Sequence, residues 1–163
     1  MTGRAARILF LVLLTWIQTW APAASATPDS RSLAASARAF FQGHGLFWTE
    51  APARDLYSPE FEHLLRLNSD CVRQGESCAI DWDFWSAGQD RGALRFRQVL
   101  RVVPDGPHRV VEVAYDCHCG DGRRTRLTAK IVFLKVAGDW RVDDVRHGTS
   151  SARDALSRHF PER

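Results

Sequence analysis

Three carboxylates, two tryptophans and a phenylalanine fall within the thirteen residues CAIDWDFWSAGQD, which open on Cys78 and close on Asp90. Asp81 and Asp83 stand two apart, so in an extended segment they point the same way while Trp82 points opposite. Two like-facing carboxylates can share a proton, the pKa of one raised by the other, and act as general acid or base. The competing chemistry is local. An Asp can cap backbone N–H groups or pair with arginines such as Arg91 and Arg95, which locks the segment to its scaffold. No histidine stands in an accompanying motif. Asp81 and Asp83 are the catalytic candidates, but with no companion motif for a nucleophile or metal the expectation is that Asp83 and Asp90 fasten the segment.

Trp48, Trp82, Phe84 and Trp85 either line a small-molecule cavity, whose walls are typically aromatic with a few polar groups, or simply form core. With Asp83, Gln89, Asp90 and Tyr115, the three tryptophans make up the candidate binding set. A second chemical stretch is DCHCGDG, from Asp116 to Gly122. Thiolate and imidazole suit zinc or copper, but in a strand His118 faces away from Cys117 and Cys119. A further ligand such as His108 or His147 would have to arrive from elsewhere. A C-x-C disulfide closes a small, strained ring, and strained disulfides are the more oxidising ones. The remaining reading is a structural bridge. No metal or cofactor is assigned. His63 and His159 read as surface residues, and no G-x-S-x-G elbow supports Ser-His-Asp catalysis.

The beginning of the chain sets the compartment in which these groups work. Arg4 and Arg7 precede the apolar run ILFLVLLTW, and AASA follows, ending at Ala26. A positive start, a short apolar run and small residues at a cleavage site predict a secretory signal peptide over residues 1–26, with a mature domain over 27–163. The run is too short for a comfortable membrane span, so no membrane attachment is expected after cleavage. Removing Arg4 and Arg7 from 22 basic residues leaves 20 against 19 acidic ones. That balance, with arginines spread along the chain, argues against nucleic acid as partner. Four cysteines in an exported chain predict disulfides. Three pairings are possible, and the polar turn VRQGES favours Cys71 with Cys78, which leaves Cys117 with Cys119.

The elements that must position these groups are legible from periodicity. Leu33, Ala34, Ala37, Phe40 and Phe41 follow a helical period that Gly43 and Gly45 can end. A second helix has Ser58 as N-cap, Pro59 in its first turn, Phe61, Leu64, Leu65, Asn68 and Val72 on one face, and Gly75 as terminator. Beyond Gly92 the period becomes two. Leu94, Phe96, Leu100 and Val102 alternate with Arg95, Arg97 and Arg101, and PDGP turns the chain. Val111, Val113, Tyr115, Cys117 and Cys119 share a face of the next strand. RLTAKIVFLKV and WRVDDVRHG supply two more strands after tight turns, giving a four-stranded antiparallel meander. SSARDALSRHF closes with a short amphipathic helix bearing Ala152, Ala155, Leu156 and Phe160. Helices followed by strands predict an α+β domain, with N-terminal helices packed on a curved sheet and a cone-shaped cavity between them.

In that order of elements, IDWDFWSAGQD leading into the sheet and a last strand GDWRVDDV resemble the nuclear transport factor two-like superfamily. More narrowly, Asp81, Trp82, Asp83, Gln89 and Asp90, with Trp140, Arg141, Val142, Asp143 and Asp144, resemble an uncharacterised periplasmic group of bacterial domains of unknown function. The CHC of the second long strand departs from that group. The resemblance implies the cone fold. Some relatives are isomerases, dehydratases or epoxide hydrolases with an Asp, His or Arg in the cone, and many others only bind ligands or dimerise. Fold does not choose among them.

Three function classes stay open on the sequence. The first is a periplasmic or secreted binding protein, of immunity or inhibitor type, using the cone or the exposed sheet on a small molecule or protein partner, with a homodimer through the sheet as one form. The second is an isomerase or hydrolase using Asp81 or Asp83. The third is a redox or metal-handling protein built on Cys117 and Cys119.

Overall fold

The computed structural model describes residues 28–43, 55–86, 93–119 and 123–161. The expected signal peptide, Trp48, Gln89, Asp90, Arg91 and the turn at residues 120–122 lie outside the described residues.

α1 (Pro28–Gln42) buries Leu33, Ala37, Phe40 and Phe41, the face that its period marks out. α2 (Pro59–Arg73) begins as its sequence dictates. Ser58 has extended backbone and its hydroxyl accepts the Phe61 N–H at 3.4 Å, while Glu60 and Glu62 face the positive end of the helix. At the other end Gly75 takes φ 75°. The Gly75 N–H then reaches the Val72 carbonyl (3.0 Å) and the Glu76 N–H reaches that of Cys71 (3.3 Å), closing the last turn. Cys71 bridges Cys78 with Cα atoms 5.9 Å apart, pinning this helix end to the segment that carries Asp81 and Asp83. Closing so short a loop contributes about 2–3 kcal/mol through the unfolded chain.

β1 (Ala93–Asp105), β2 (His108–His118), β3 (Arg124–Val136) and β4 (Asp139–His147) pair antiparallel in chain order, which is the expected meander. Gly106 (φ 57°), Ala137 (φ 51°) and Gly138 (φ 98°) supply the left-handed backbone that two-residue hairpins need to match strand twist. A two-residue β5 (Ser150–Ser151) lengthens the expected four strands to five and runs directly into α3 (Ala152–His159). Tyr57 makes one parallel bridge to Val142, so the chain entering α2 also pairs with β4.

Val111, Val113, Tyr115 and Cys117 of β2, Ile131 and Phe133 of β3, and Val142 and Val145 of β4 face the helices, whose Phe40, Phe41, Phe61 and Leu156 complete the core. Strand alternation fails in two strands: in β4, where the β3–β4 register shifts between Val132 and Phe133 so that Asp143 is the extra residue and Val142 and Val145 both face inward, and in β1. The β1–β2 register shifts between Phe96 and Gln98 and again between Val99 and Arg101. Each bulge adds a residue to β1. Val99 therefore pairs with the buried Val113, and Leu100, expected on the inner face, is 43% exposed.

Candidate functional site

Asp81 and Asp83 do not converge. The chain bends at Trp82 and turns over residues 84–86, so the extended-segment rule does not apply; Asp81 is exposed and Asp83 is buried. Asp83 Oδ1 accepts the Trp85 N–H at 3.1 Å and Oδ2 accepts the Ser86 hydroxyl at 2.6 Å, the bonding of an Asp that shapes its own turn. Asn68 clamps the approach from both sides. Its amide donates to the Ile80 carbonyl (2.8 Å) and its side-chain oxygen accepts the Ile80 N–H (3.0 Å). Tyr115 donates to the Trp85 carbonyl at 3.1 Å, and burial, then the charge of Asp83, push its phenol well above the ordinary value. Asp83→Asn is expected to cost about 1–3 kcal/mol, the penalty for spoiling a buried charged hydrogen bond. Denaturant titration beside wild type measures it, and an unchanged midpoint would remove the fastening role.

The aromatic candidates divide. Trp85 is 2% exposed and meets Phe41 (centroids 4.9 Å), Tyr115 (5.7 Å) and Phe40 (6.2 Å) edge-on. These rings belong to the core cluster between the helices and the sheet. Trp82 is half-buried and stacks on Phe84 at 5.0 Å.

Cys117 pairs with Cys119, so both sulfurs are used. Cys117 is fully buried and Cys119 only partly. Exchange at the reachable Cys119 would release a thiolate from Cys117 into apolar surroundings, where it leaves poorly. That arrangement favours the structural reading.

The WRVDDV strand is a buried junction that the sequence did not reveal as one. Asp143 accepts from the Ser58 hydroxyl and from Arg153, and its other oxygen meets His108 Nε2 at 3.0 Å. Arg153 also pairs with Glu60. Ser58, Asp143 and His108 are the residue types of a hydrolytic triad, but here the carboxylate stands between hydroxyl and imidazole. The imidazole is therefore not placed to take the serine proton. Asp144 accepts from Arg146 (2.7 Å), Ser151 (2.9 Å) and the Arg153 N–H (3.0 Å), which caps α3.

The outer face of the sheet carries the strongest charge pattern. Asp116, opposite in sense to Tyr115 and Cys117, is 1% exposed beneath three arginines. Arg97 Nε donates to it at 2.6 Å, Arg124 Nε at 2.7 Å and Arg126 Nε at 3.4 Å. The first β1 bulge brings Arg97 there. Along the same face stand Arg95, Arg101 bonded to Glu112 (2.6 Å), Lys130, and Arg146 bonded to Asp144. The arginines thus gather in space though spread in sequence: seven cations against Asp105, Glu112, Asp116 and Asp144. Three positive charges in excess on one face equal the +3 of the whole chain.

Burial raises the Asp116 pKa, but hydrogen bonds and charge from Arg97, and then Arg126, outweigh it and hold the carboxyl below its ordinary 3.8. A depressed folded pKa contributes stability above the ordinary value, and that contribution is lost as pH falls below it through the folded value. Acid melts should therefore decline below about pH 4, with Asp116→Asn giving a flatter profile over that window. Parallel profiles would contradict the charge pairing.

A groove of about 800 Å³ runs between α2 and α3, lined by Glu60, His63, Leu64, Leu67, Ser157, His159 and Phe160. Both histidines read as surface residues are on its wall.

Neither a protein-family model nor a curated protein matches the chain. Among solved structures, a designed protein of the nuclear transport factor two-like type is similar over 72% of this chain and 95% of that one, at 14% identity and a TM-score of 0.41. A phospholipid-binding protein from Ralstonia solanacearum, solved in complex with a phospholipid, is similar over 80% of this chain and 64% of that one, at 14% identity and a TM-score of 0.31. Neither likeness assigns a role to any residue.

Proposed function

We propose that this chain is an exported binding protein, of immunity or inhibitor type, that covers its partner with the outer face of the sheet rather than with the space beneath it. The observation that carries the reading is the concentration of arginine on that face, where no described helix packs. The carboxylates suited to catalysis support it from the other side. Asp83 is engaged by its own turn and Asp143 by Ser58, His108 and Arg153.

The test uses the mature protein as bait on envelope extract from its own source. Partner capture is expected to be lost on Arg124→Glu with Arg126→Glu, in a variant whose melt shows that it still folds with Asp116 paired to Arg97 alone, and to survive Ser157→Ala. Retention of capture by the double variant would defeat the reading. Export is tested separately, by sequencing the N-terminus of periplasmic material, which should begin at Thr27.

A second reading rests on the α2–α3 groove, whose volume is that of a small-molecule site. Loss of a retained ligand on Leu67→Arg, with the outer-face variant still loaded, would favour it.

A further inference from the structure

We infer that the outer face recognises carboxylates of an acidic protein segment, with Arg97, Arg124 and Arg126 as the reading groups and the buried Asp116 as the positioning residue that sets them. The inference rests on the outer-face reading and names its partner class.

One carboxylate balances one of three guanidiniums, so the cluster keeps two charges in excess. Guanidinium carries five N–H donors in a planar fork. Arg97 and Arg124 turn their Nε–Nη2 edges to Asp116 Oδ2 and Arg126 turns its Nε to Oδ1, so Asp116 occupies one edge of each guanidinium and the Nη1 side is what an incoming acceptor can reach. Exposure rises across the set: the side chains of Arg97, Arg124 and Arg126 are 28%, 46% and 70% exposed. Arg97 is the anchored member and Arg126 the most reachable. Because Asp116 already holds these long side chains, binding need not order them, and planar carboxylates match the forks bidentately.

The surroundings select protein carboxylates over other anions. Leu100 is the one exposed large apolar residue among those described, so the face offers no wedge of the kind that enters a bilayer. No tryptophan, tyrosine or phenylalanine lies on this register to stack bases, as single-stranded nucleic acid requires. Glu112, Asp116 and Asp144 interrupt the cations. Each is paired with arginine, so together they break the cations into separate groups, a spacing that suits carboxylates set apart on a polypeptide better than one continuous row of phosphates.

The experiment measures binding of the mature protein to a labelled poly-glutamate peptide, to phosphatidylserine-containing vesicles and to single-stranded RNA, at two salt concentrations. Poly-glutamate should bind most tightly, and less so in salt. Arg126→Ala should weaken it about tenfold, as should Arg126→Lys, which keeps the charge but loses the fork. Asp116→Asn adds a positive charge, so simple attraction makes binding tighter, whereas loss of positioning makes it weaker; weaker is expected. If that variant does not fold, Arg126→Lys decides alone. Binding by Arg126→Lys equal to wild type, tighter binding by folded Asp116→Asn, or preference for vesicles or RNA would overturn the inference. If poly-glutamate does not bind while Arg124→Glu with Arg126→Glu still abolishes partner capture, the acidic class falls and the outer-face reading stands. If capture persists in that double variant, the face itself falls.

Discussion

Asp143→Ala is expected to destabilise the protein by about 3–5 kcal/mol, the range for removing one partner of a buried, hydrogen-bonded ion pair. The carboxylate is nearly inaccessible and joins four elements: β4, the N-cap of α2 through Ser58, the start of β2 through His108, and α3 through Arg153. Its removal leaves the Ser58 hydroxyl and a half-buried guanidinium short of an acceptor, at the point where the Ser58 N–H bonds the Val142 carbonyl (2.8 Å) and the Val142 N–H bonds Leu56 (2.9 Å). A surface pair provides the contrast. Asp70 and Arg73 lie three apart on α2 with both side chains more than half exposed, and Asp70→Ala should change stability by less than about 1 kcal/mol. Urea titrations of both variants measure the difference. Equal midpoints would mean that the junction is solvated and that its geometry holds nothing together.

What could be read from the sequence divides along the range of the interactions involved. The start of α2 is legible because a cap is local chemistry: Ser58, Pro59 and Glu60 each act within one turn. The Cys71–Cys78 bridge is legible for the same reason, since the helix end and polar turn already bring the two sulfurs near. Inner-face residues of β2 follow from strict alternation. Alternation also accounts for the failure at Leu100, because the first β1 bulge leaves no signature in the apolar pattern and inverts the faces until the second restores them at Val102. The same bulge carries Arg97 to Asp116, and so hides the arginine cluster: residues 97, 116, 124 and 126 become neighbours only through strand register. The fastening role of Asp83 follows from local donors, whereas the shared direction of Asp81 and Asp83 fails because a period-two rule holds for an extended chain and not for a bend. Asn68 reads as a helical core position. Its role in clamping Ile80 depends on a segment twelve residues away, which no periodicity reports.

Trp85→Ala is expected to cost about 3–5 kcal/mol, and this result bears most directly on where the protein binds. The indole is 2% exposed, held edge-on by Phe40, Phe41 and Tyr115, and its own carbonyl accepts the Tyr115 hydroxyl. Truncation removes the transfer free energy of the largest fully buried side chain and leaves a hole that rigid rings cannot close, since ring packing relaxes only in part. Trp85→Phe should lose less, because one ring remains to meet Phe41. A residue lining a ligand cavity behaves otherwise. Its neighbours are already apolar space on one side, so truncation costs little stability and shows instead as loss of ligand. Thermal melts with and without an apolar probe such as benzene separate these cases. Destabilisation by Trp85→Ala, partly reversed by benzene entering the new cavity, marks a closed interior and leaves the outer face and the α2–α3 groove as the surfaces on which binding can occur. A variant that melts with wild type would place open space beside Trp85, and the binding site would then have to be sought beneath the sheet.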